Sequence, residues 1–228
     1  MDWLQLSGKT FVVTGWANKK SVAWHVGSAL EEQGARVVWV VHTPARAQEL
    51  ERLAGEREVH ACDVARQAEI DAFAQALAVR HARIDGFVHS IAHADYSDGW
   101  KAFHETCRAD FLRAVDVSCF SLVALTRALE PTFTPRASVV AISISTTNMA
   151  AENYGYMAPI KAALDSAVVF LAKSFKRSSR VRFNAVRAGP LKTASSAGIP
   201  GYLESYLFAE RATLRGKGVA TSEVANTV

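Results

Sequence analysis

Four stretches of the chain bring together small residues, a carboxylate and backbone N–H groups of the kind that hold a dinucleotide. In Gly15-Trp16-Ala17-Asn18-Lys19-Lys20-Ser21-Val22-Ala23 a glycine permits a tight turn, and a helix starting near Ser21 offers unpaired N–H groups to a pyrophosphate. Only the first glycine of the G-x-G-x-x-G pattern is present, so this loop alone fits an ordinary βα turn equally well. In Cys62-Asp63-Val64 the Asp63 carboxylate can accept the adenine amino hydrogens while Val64 covers the ring. The small residues of His89-Ser90-Ile91-Ala92 let backbone approach a cofactor closely, and Ala188-Gly189-Pro190-Leu191-Lys192-Thr193 can line the nicotinamide side. The expected contacts are Gly15, Ser21, Val22, Asp63, Val64, Ser90, Ile91, Ala92, Gly189, Pro190, Leu191 and Thr193.

The elements that must position these stretches are short apolar runs alternating with helical patterns. Strands are expected over Thr10 to Thr14, Arg36 to Val41, Glu58 to Cys62, Asp85 to His89, Ser138 to Ile144 and Val181 to Val186, each rich in Val, Ile or Phe with little polar alternation. Helices are expected over Ser21 to Gln33, Ala45 to Ala54, Arg66 to His81, one long segment from Lys101 to Leu129, and Met157 to Lys176. This β-α-β-α order predicts an α/β fold, a doubly wound parallel sheet of Rossmann type, in a single domain spanning residues 1–228. All four stretches then fall at strand carboxyl ends, where such a sheet binds its ligand. Near the end, residues 191–215 read as a substrate-binding loop and helix, with Tyr202 to Leu214 amphipathic. Thr221 to Val228 reads as a further short helix capped by Thr221 or Ser222.

At the end of the second strand an acidic residue would bind the ribose hydroxyls of NAD, and an Arg would suit the 2′-phosphate of NADP. The chain has neither immediately there: Val41 is followed by His42-Thr43-Pro44-Ala45-Arg46. His42 is the cofactor contact at that position, NADH is the expected cofactor, and NADPH is left open.

Composition removes other classes. Half of the 228 residues are hydrophobic and 21% charged, which excludes a disordered or collagen-like chain. The net charge of +4 is too small and too evenly spread for a nucleic-acid footprint, and the cluster Lys173, Lys176, Arg177, Arg180 and Arg182 reads as a helix end complementing its dipole. Three cysteines without C-x-x-C spacing argue against a disulfide framework or zinc site, so no metal is expected. The apolar runs fall short of the ~20 residues that cross a bilayer. The first residues show no secretory pattern, so a cytoplasmic protein with no membrane partner is expected.

With Gly15-x5-Ser21-Val22-Ala23, Cys62-Asp63-Val64, Asp85-Gly86-Phe87-Val88-His89-Ser90-Ile91-Ala92, Tyr154-x6-Lys161-Ala162-Ala163-Leu164 and Arg187-Ala188-Gly189-Pro190-Leu191-Lys192-Thr193, the chain resembles the short-chain dehydrogenase/reductase superfamily. Within it, the resemblance is to the bacterial NADH-dependent enoyl-acyl-carrier-protein reductases, from about Gly8 to Val228. Carbonyl-reducing members use Tyr-x3-Lys with a Ser thirteen residues before the Tyr. Here those positions hold Met157 and Ile144, which cannot donate a proton, whereas Tyr154 stands seven residues before Lys161, the enoyl reductase spacing. The resemblance implies reduction of a trans-2-enoyl thioester on acyl carrier protein in fatty acid elongation, by a homotetramer. Tyr154 and Lys161 would be catalytic: the phenol meets the enolate oxygen, and the ammonium holds the nicotinamide ribose. Seven residues of helix turn through ~700°, one shared face, although Pro159 favours the first helical turn and so puts Tyr154 in the loop before it. Ala94, Ile144, Tyr154, Met157, Ala197 and Ile199 would border the substrate.

The chain departs from the family pattern at Ile144, where an aromatic ring is usual, and at Ala92, where a glycine is usual; His93, which follows it, reads as a solvated loop residue more than a second donor, and Tyr156 offers a second phenol near Tyr154. Family members also continue past Val228 through a helix and a final strand, so the last strand of the sheet is expected to be missing. Two other functions fit the same scaffold: a specialised-metabolism reductase of another activated alkene, and a cofactor-binding homologue without turnover.

Overall fold

The structure, a computed structural model, describes residues 4–97, 99, 101–145, 147, 150, 155–197, 199 and 201–228. Its centre is a parallel sheet of β1 (Thr10–Thr14), β2 (Arg36–Val41), β3 (Glu58–Ala61), β4 (Ile84–His89), β5 (Phe133–Ile144) and β6 (Arg182–Ala188), in the order β3-β2-β1-β4-β5-β6. The order reverses between β1 and β4, which opens a crevice at their carboxyl ends, the place where doubly wound sheets take ligands.

The helices are α1 (Val22–Glu32), α2 (Pro44–Ala54), α3 (Gln67–Arg80), α4 (Arg108–Val115), α5 (Ser121–Leu129), α6 (Met157–Phe175), α7 (Ala194–Ala197), α8 (Tyr202–Ala212) and α9 (Thr221–Ala225). Alternate strand residues feed two cores, which is why the strands read as unbroken apolar runs. Val12, Val38, Phe87 and Val139 pack with Leu77, Leu125, Ile160 and Leu164 on one face; Val13, Val37, Trp39 and Val88 pack with Val26, Leu50 and Ala225 on the other. No helix among the described residues is long and apolar enough to cross a membrane.

Several boundaries differ from the expected ones, for identifiable reasons. Strand β3 stops at Ala61: Cys62 makes the last bond of the ladder, donating its N–H to Val41 O (2.8 Å), and the chain then enters the loop that carries Asp63. Strand β5 begins at Phe133, where it pairs with Ile84 across a register shift, earlier than the Val-rich run suggests. Strand β6 runs to Ala188, paired throughout with β5. The expected long helix from Lys101 to Leu129 is interrupted. A 3₁₀ turn at Phe103–Glu105 precedes α4, and a π turn at Asp116–Phe120 separates α4 from α5. The extra residue of the π turn swings Ser118 onto the main chain of His93, where its hydroxyl accepts from N (2.8 Å) and donates to O (3.1 Å). The last helix is capped by neither Thr221 nor Ser222. Ala220 holds the cap position, and Glu223 reaches back to accept its N–H at 2.8 Å.

Helix α1 is held against the sheet at Gly27, where any Cβ would meet the edge of the buried Trp39 ring. Gly27→Ala is therefore expected to cost about 1–3 kcal/mol through overpacking, despite alanine's better helix propensity. Urea denaturation measures it, and a stabilised variant would contradict the packing described.

Candidate functional site

The crevice begins at the end of β1. Gly15 has φ +89, and a Cβ there would run into the Ser90 carbonyl, so two backbones leaving adjacent strands touch at a point only glycine allows. The contact is fastened by Thr14, whose hydroxyl donates to Val88 O (3.0 Å) and accepts from Ser90 N (3.3 Å). Beyond Gly15, Asn18 accepts from Lys20 N through its side chain (2.8 Å). Ser21 donates its hydroxyl to Asn18 O (2.6 Å) and caps α1 by accepting from Trp24 N (3.3 Å), one residue before Val22 opens the helix. The loop rests on three indoles: the Trp16 ring lies 5.2 Å from Trp24 and 4.7 Å from Trp39.

At the ends of β2 and β3, His42 and Asp63 come together, with Nε2 3.6 Å from Oδ1 and the imidazole exposed. Asp63 is held in place by its neighbours: Oδ1 accepts from Ala65 N (3.0 Å), and Arg66 Nε stands 3.4 Å from Oδ2. Val64 is buried beside it. Arg46 turns away to pair with Glu49, while its N–H is capped by Thr43.

The middle of the crevice is the end of β4 and β5 beneath α6. Lys161 does not sit on the surface: it is buried in the first turns of α6. Its Nζ donates to Ile142 O (2.8 Å) and Ile91 O (3.2 Å), tying the helix to the ends of both strands. Burial brings its pKa down to about 8, against the upward pull of Asp165 and Cys119. Below it His89 is fully enclosed. The Ser121 hydroxyl donates to Val117 O (2.7 Å), so His89 Nε2–H donates to Ser121 Oγ (2.8 Å). Burial, aided by the Lys161 charge, pushes the imidazole down to about 3, which leaves it neutral.

Tyr154 lies outside the described residues. Tyr156 is placed and is already engaged: its hydroxyl accepts from Asp95 N (2.9 Å) and donates to Asp95 O (3.1 Å). Met157 and Ala94 pack in the main core around it, and Ile144 is half-buried at the tip of β5. Ala92 and the side chain of His93 are exposed.

The remaining wall follows β6. Around Gly189 a Cβ would meet nothing within 4 Å, so the chain borders open space there. Pro190 is half-buried, and Leu191 is fixed by Tyr202, whose hydroxyl accepts from its N (2.7 Å) and donates to its O (2.9 Å). Thr193 N–H donates to Ser196 Oγ (2.9 Å). Between this wall, the β1 loop and α8 lies a cleft of about 1120 Å³ whose lining includes Lys19, Lys20, Thr193, Ala197, Ile199 and Tyr206. Of the expected substrate contacts, Ala197 and Ile199 share this cleft, while Met157 is buried in the main core and Ala94 packs against it.

Two residues that sequence reasoning passed over join the site. Asp165, one helical turn beyond Lys161, pairs with Arg187 (Oδ2 to Nε, 3.4 Å). Arg187 also donates to Ile144 O (3.2 Å), Ser145 O (3.3 Å) and Thr147 Oγ1. Four-residue spacing from Lys161 was the available signal for Asp165; nothing local marks its partner.

Comparison with known proteins agrees with this geometry. A family model described as Enoyl-(Acyl carrier protein) reductase matches residues 15–228. The chain is 34% identical over 223 residues to the enoyl-acyl-carrier-protein reductase (NADH) FabI of Enterococcus faecalis, covering 97% of this chain and 89% of that one. It is 33% identical over 204 residues to the NADPH enzyme FabI of Staphylococcus aureus, covering 87% and 79%. The crystal structure of the enoyl-acyl-carrier-protein reductase (NADH) from Aquifex aeolicus superposes with a TM-score of 0.92 at 30% identity, covering 97% of this chain and 88% of that one.

His89 gives a test of the buried centre. Its folded pKa lies below the ordinary histidine value, so the unfolded chain binds the proton more tightly. Stability is complete above pH 6.5 and is lost as pH falls toward 3. Urea unfolding between pH 7 and pH 4 is expected to show a loss of a few kcal/mol that His89→Gln flattens. An equal slope in both proteins would refute the assignment.

Proposed function

The chain belongs to the enoyl-(acyl carrier protein) reductase family, and from that premise we propose that it reduces the double bond of a trans-2-enoyl thioester carried on acyl carrier protein, in fatty acid elongation, with NADH as reductant. The observation that carries this reading is the buried Lys161 amine pinned under the ends of β4 and β5.

The crevice fits a nicotinamide dinucleotide. Open space borders Gly189, the backbones at Gly15 and Ser90 meet without side chains between them, and Asp63 is held at the end of β3. Ser21 and Val22, at the start of α1, would hold the pyrophosphate, Asp63 and Val64 would take the adenine, and the small residues Ser90, Ile91 and Ala92 would let backbone approach the cofactor closely. Gly189, Pro190, Leu191 and Thr193 border the nicotinamide. His42, and not an acid, would meet the adenosine ribose at the end of β2, and NADPH is left open beside NADH. A bound reduced nicotinamide supplies the hydride.

The chain's own residues manage the charge. Negative charge arrives on the thioester oxygen, and the Tyr154 O–H donates to it more strongly as the charge grows. Two Nζ–H groups of Lys161 are spent on Ile91 and Ile142, which aims the third. That donor holds the ribose hydroxyls and keeps a positive field at the reacting atoms. Tyr156 is not an alternative proton source while its hydroxyl closes on Asp95. Ile144 would bound the head of the acyl chain, with Ala94 and Met157 behind it in the core, and Ala197 and Ile199 its exit.

A homotetramer in the cytoplasm completes the proposal. Leu112, Phe120, Val169 and Phe170 are large apolar side chains left exposed on α4, the π turn and α6, elements that adjoin one another, and a second copy would cover such side chains. Three free cysteines, one of them exposed, suit a reducing compartment.

Crotonyl and longer enoyl thioesters should be consumed with NADH or NADPH, followed by loss of nicotinamide absorbance. Tyr154→Phe is expected to lower kcat about 10²–10³-fold, while Lys161→Met also weakens NADH binding. Turnover of a free enone but of no thioester would move the assignment to another activated alkene. Tight cofactor binding without turnover of either would leave a non-catalytic homologue. For the assembly, Phe170→Glu is expected to lower the mass seen by light scattering below that of the parent tetramer, and a monomeric parent would remove that part of the proposal.

A further inference from the structure

Arg187 leaves the end of β6 and reaches in two directions. Toward the chain that follows β5 it donates to the Ile144 and Ser145 carbonyls and to Thr147 Oγ1. Toward α6 it meets the Asp165 carboxylate. The segment it grips leads within seven residues to Tyr154, and the carboxylate it meets stands four residues beyond Lys161 on one helix face. Asp165 spends only one oxygen on this pair. Its Oδ1 is buried without a hydrogen-bond partner among the described residues.

We propose that Arg187 and Asp165 are the positioning residues of the site: the guanidinium ties the end of β5, at Ile144, Ser145 and Thr147, to α6, and the carboxylate holds Lys161 as an ammonium. This rests on the reading of Lys161 given above. It supplies what the buried amine otherwise lacks, a stationary negative charge.

The charged and titratable groups around Lys161 single out that carboxylate. From β4 comes His89, which burial keeps neutral. From the π turn comes the Cys119 thiol, which burial pushes up and so keeps protonated near neutral pH. From the chain just past β4 and from β5 come the carbonyls of Ile91 and Ile142. From α6 itself comes Asp165, whose charge raises the Lys161 pKa against desolvation. The guanidinium half-neutralises Asp165, so it moderates that effect while orienting the acid. With about 45% of the Arg187 side chain and 21% of the Asp165 side chain exposed, solvent screens the pair, and the effect is one of aim and degree.

The two charges predict opposite shifts, which a general loosening of the fold does not. Removing the carboxylate in Asp165→Asn lets Lys161 lose its proton more readily. The alkaline limb of kcat and of NADH affinity, the latter read by the fluorescence of the nicotinamide itself, then moves down by about 0.5–1 pH unit. Removing the cation in Arg187→Met leaves the carboxylate unopposed, and both limbs move up by a smaller amount. Arg187→Lys keeps the charge and loses the fork, so it leaves the limbs near the parent's while lowering kcat more than it changes KM. Unfolding midpoints establish that each variant is folded, and the isosteric Asp165→Asn decides the matter if Arg187→Met is not.

The two readings fail separately. A parent profile flat through pH 10, with Lys161→Met unaltered in NADH binding, would overturn the role given to Lys161 and this inference with it. A parent limb that Asp165→Asn leaves in place, or that both substitutions move the same way, would overturn the inference alone.

Discussion

A lysine amine buried under two strand ends is the constraint on which the rest of this site depends. Taking an ammonium out of water is costly, and the protein meets that cost by aiming two backbone carbonyls at it. Those carbonyls belong to residues just past β4 and near the end of β5, so the bond that settles the charge also fixes where α6 crosses the sheet. Because the folded state binds this proton less tightly than the unfolded chain does, the cost is fully present at neutral pH. It fades as pH rises from about 8 toward the ordinary lysine value of 10.5. The site is thus held together by an arrangement that the fold alone would not choose.

The other parts of the crevice serve the same end by removing bulk and freedom. Gly15 lets the backbones after β1 and β4 touch, Thr14 fastens them, and the enclosed His89 and Ser121 form a floor below Lys161. The π turn belongs to this floor. It brings Ser118 onto the main chain of His93, which steadies the loop that runs on from Ile91. Local departures from regular structure therefore cluster around the crevice, as expected where geometry is set by chemistry more than by packing.

Much of this was legible in the sequence because its signals are local. Runs such as Val37 to Val41 could only be two-faced buried strands, and the βα alternation then fixed which loops share an edge. The resemblance singled out Lys161 by its spacing from Tyr154. What could not be read depends on contacts between distant residues. Whether Lys161 lies inside or outside the protein is decided by Ile91 and Ile142, 70 and 19 residues away. The pairing of Asp165 with Arg187 leaves no trace in the spacing of either. The break between α4 and α5 was hidden for the complementary reason: the apolar periodicity from Lys101 to Leu129 runs across it almost undisturbed, since a π turn shifts the phase by a single residue.

The tryptophan stack beneath the β1 loop has an optical consequence. Trp16, Trp24 and Trp39 lie with ring centroids 4.7–5.7 Å apart, close enough for excitation to pass freely among them. Three of the chain's five indoles thus act as one chromophore lodged under the turn that opens the crevice. Because Trp16 follows Gly15 and Trp24 is the residue that Ser21 caps, a change in the setting of that turn is expected to alter the shared emission, a built-in lamp at the threshold of the working end.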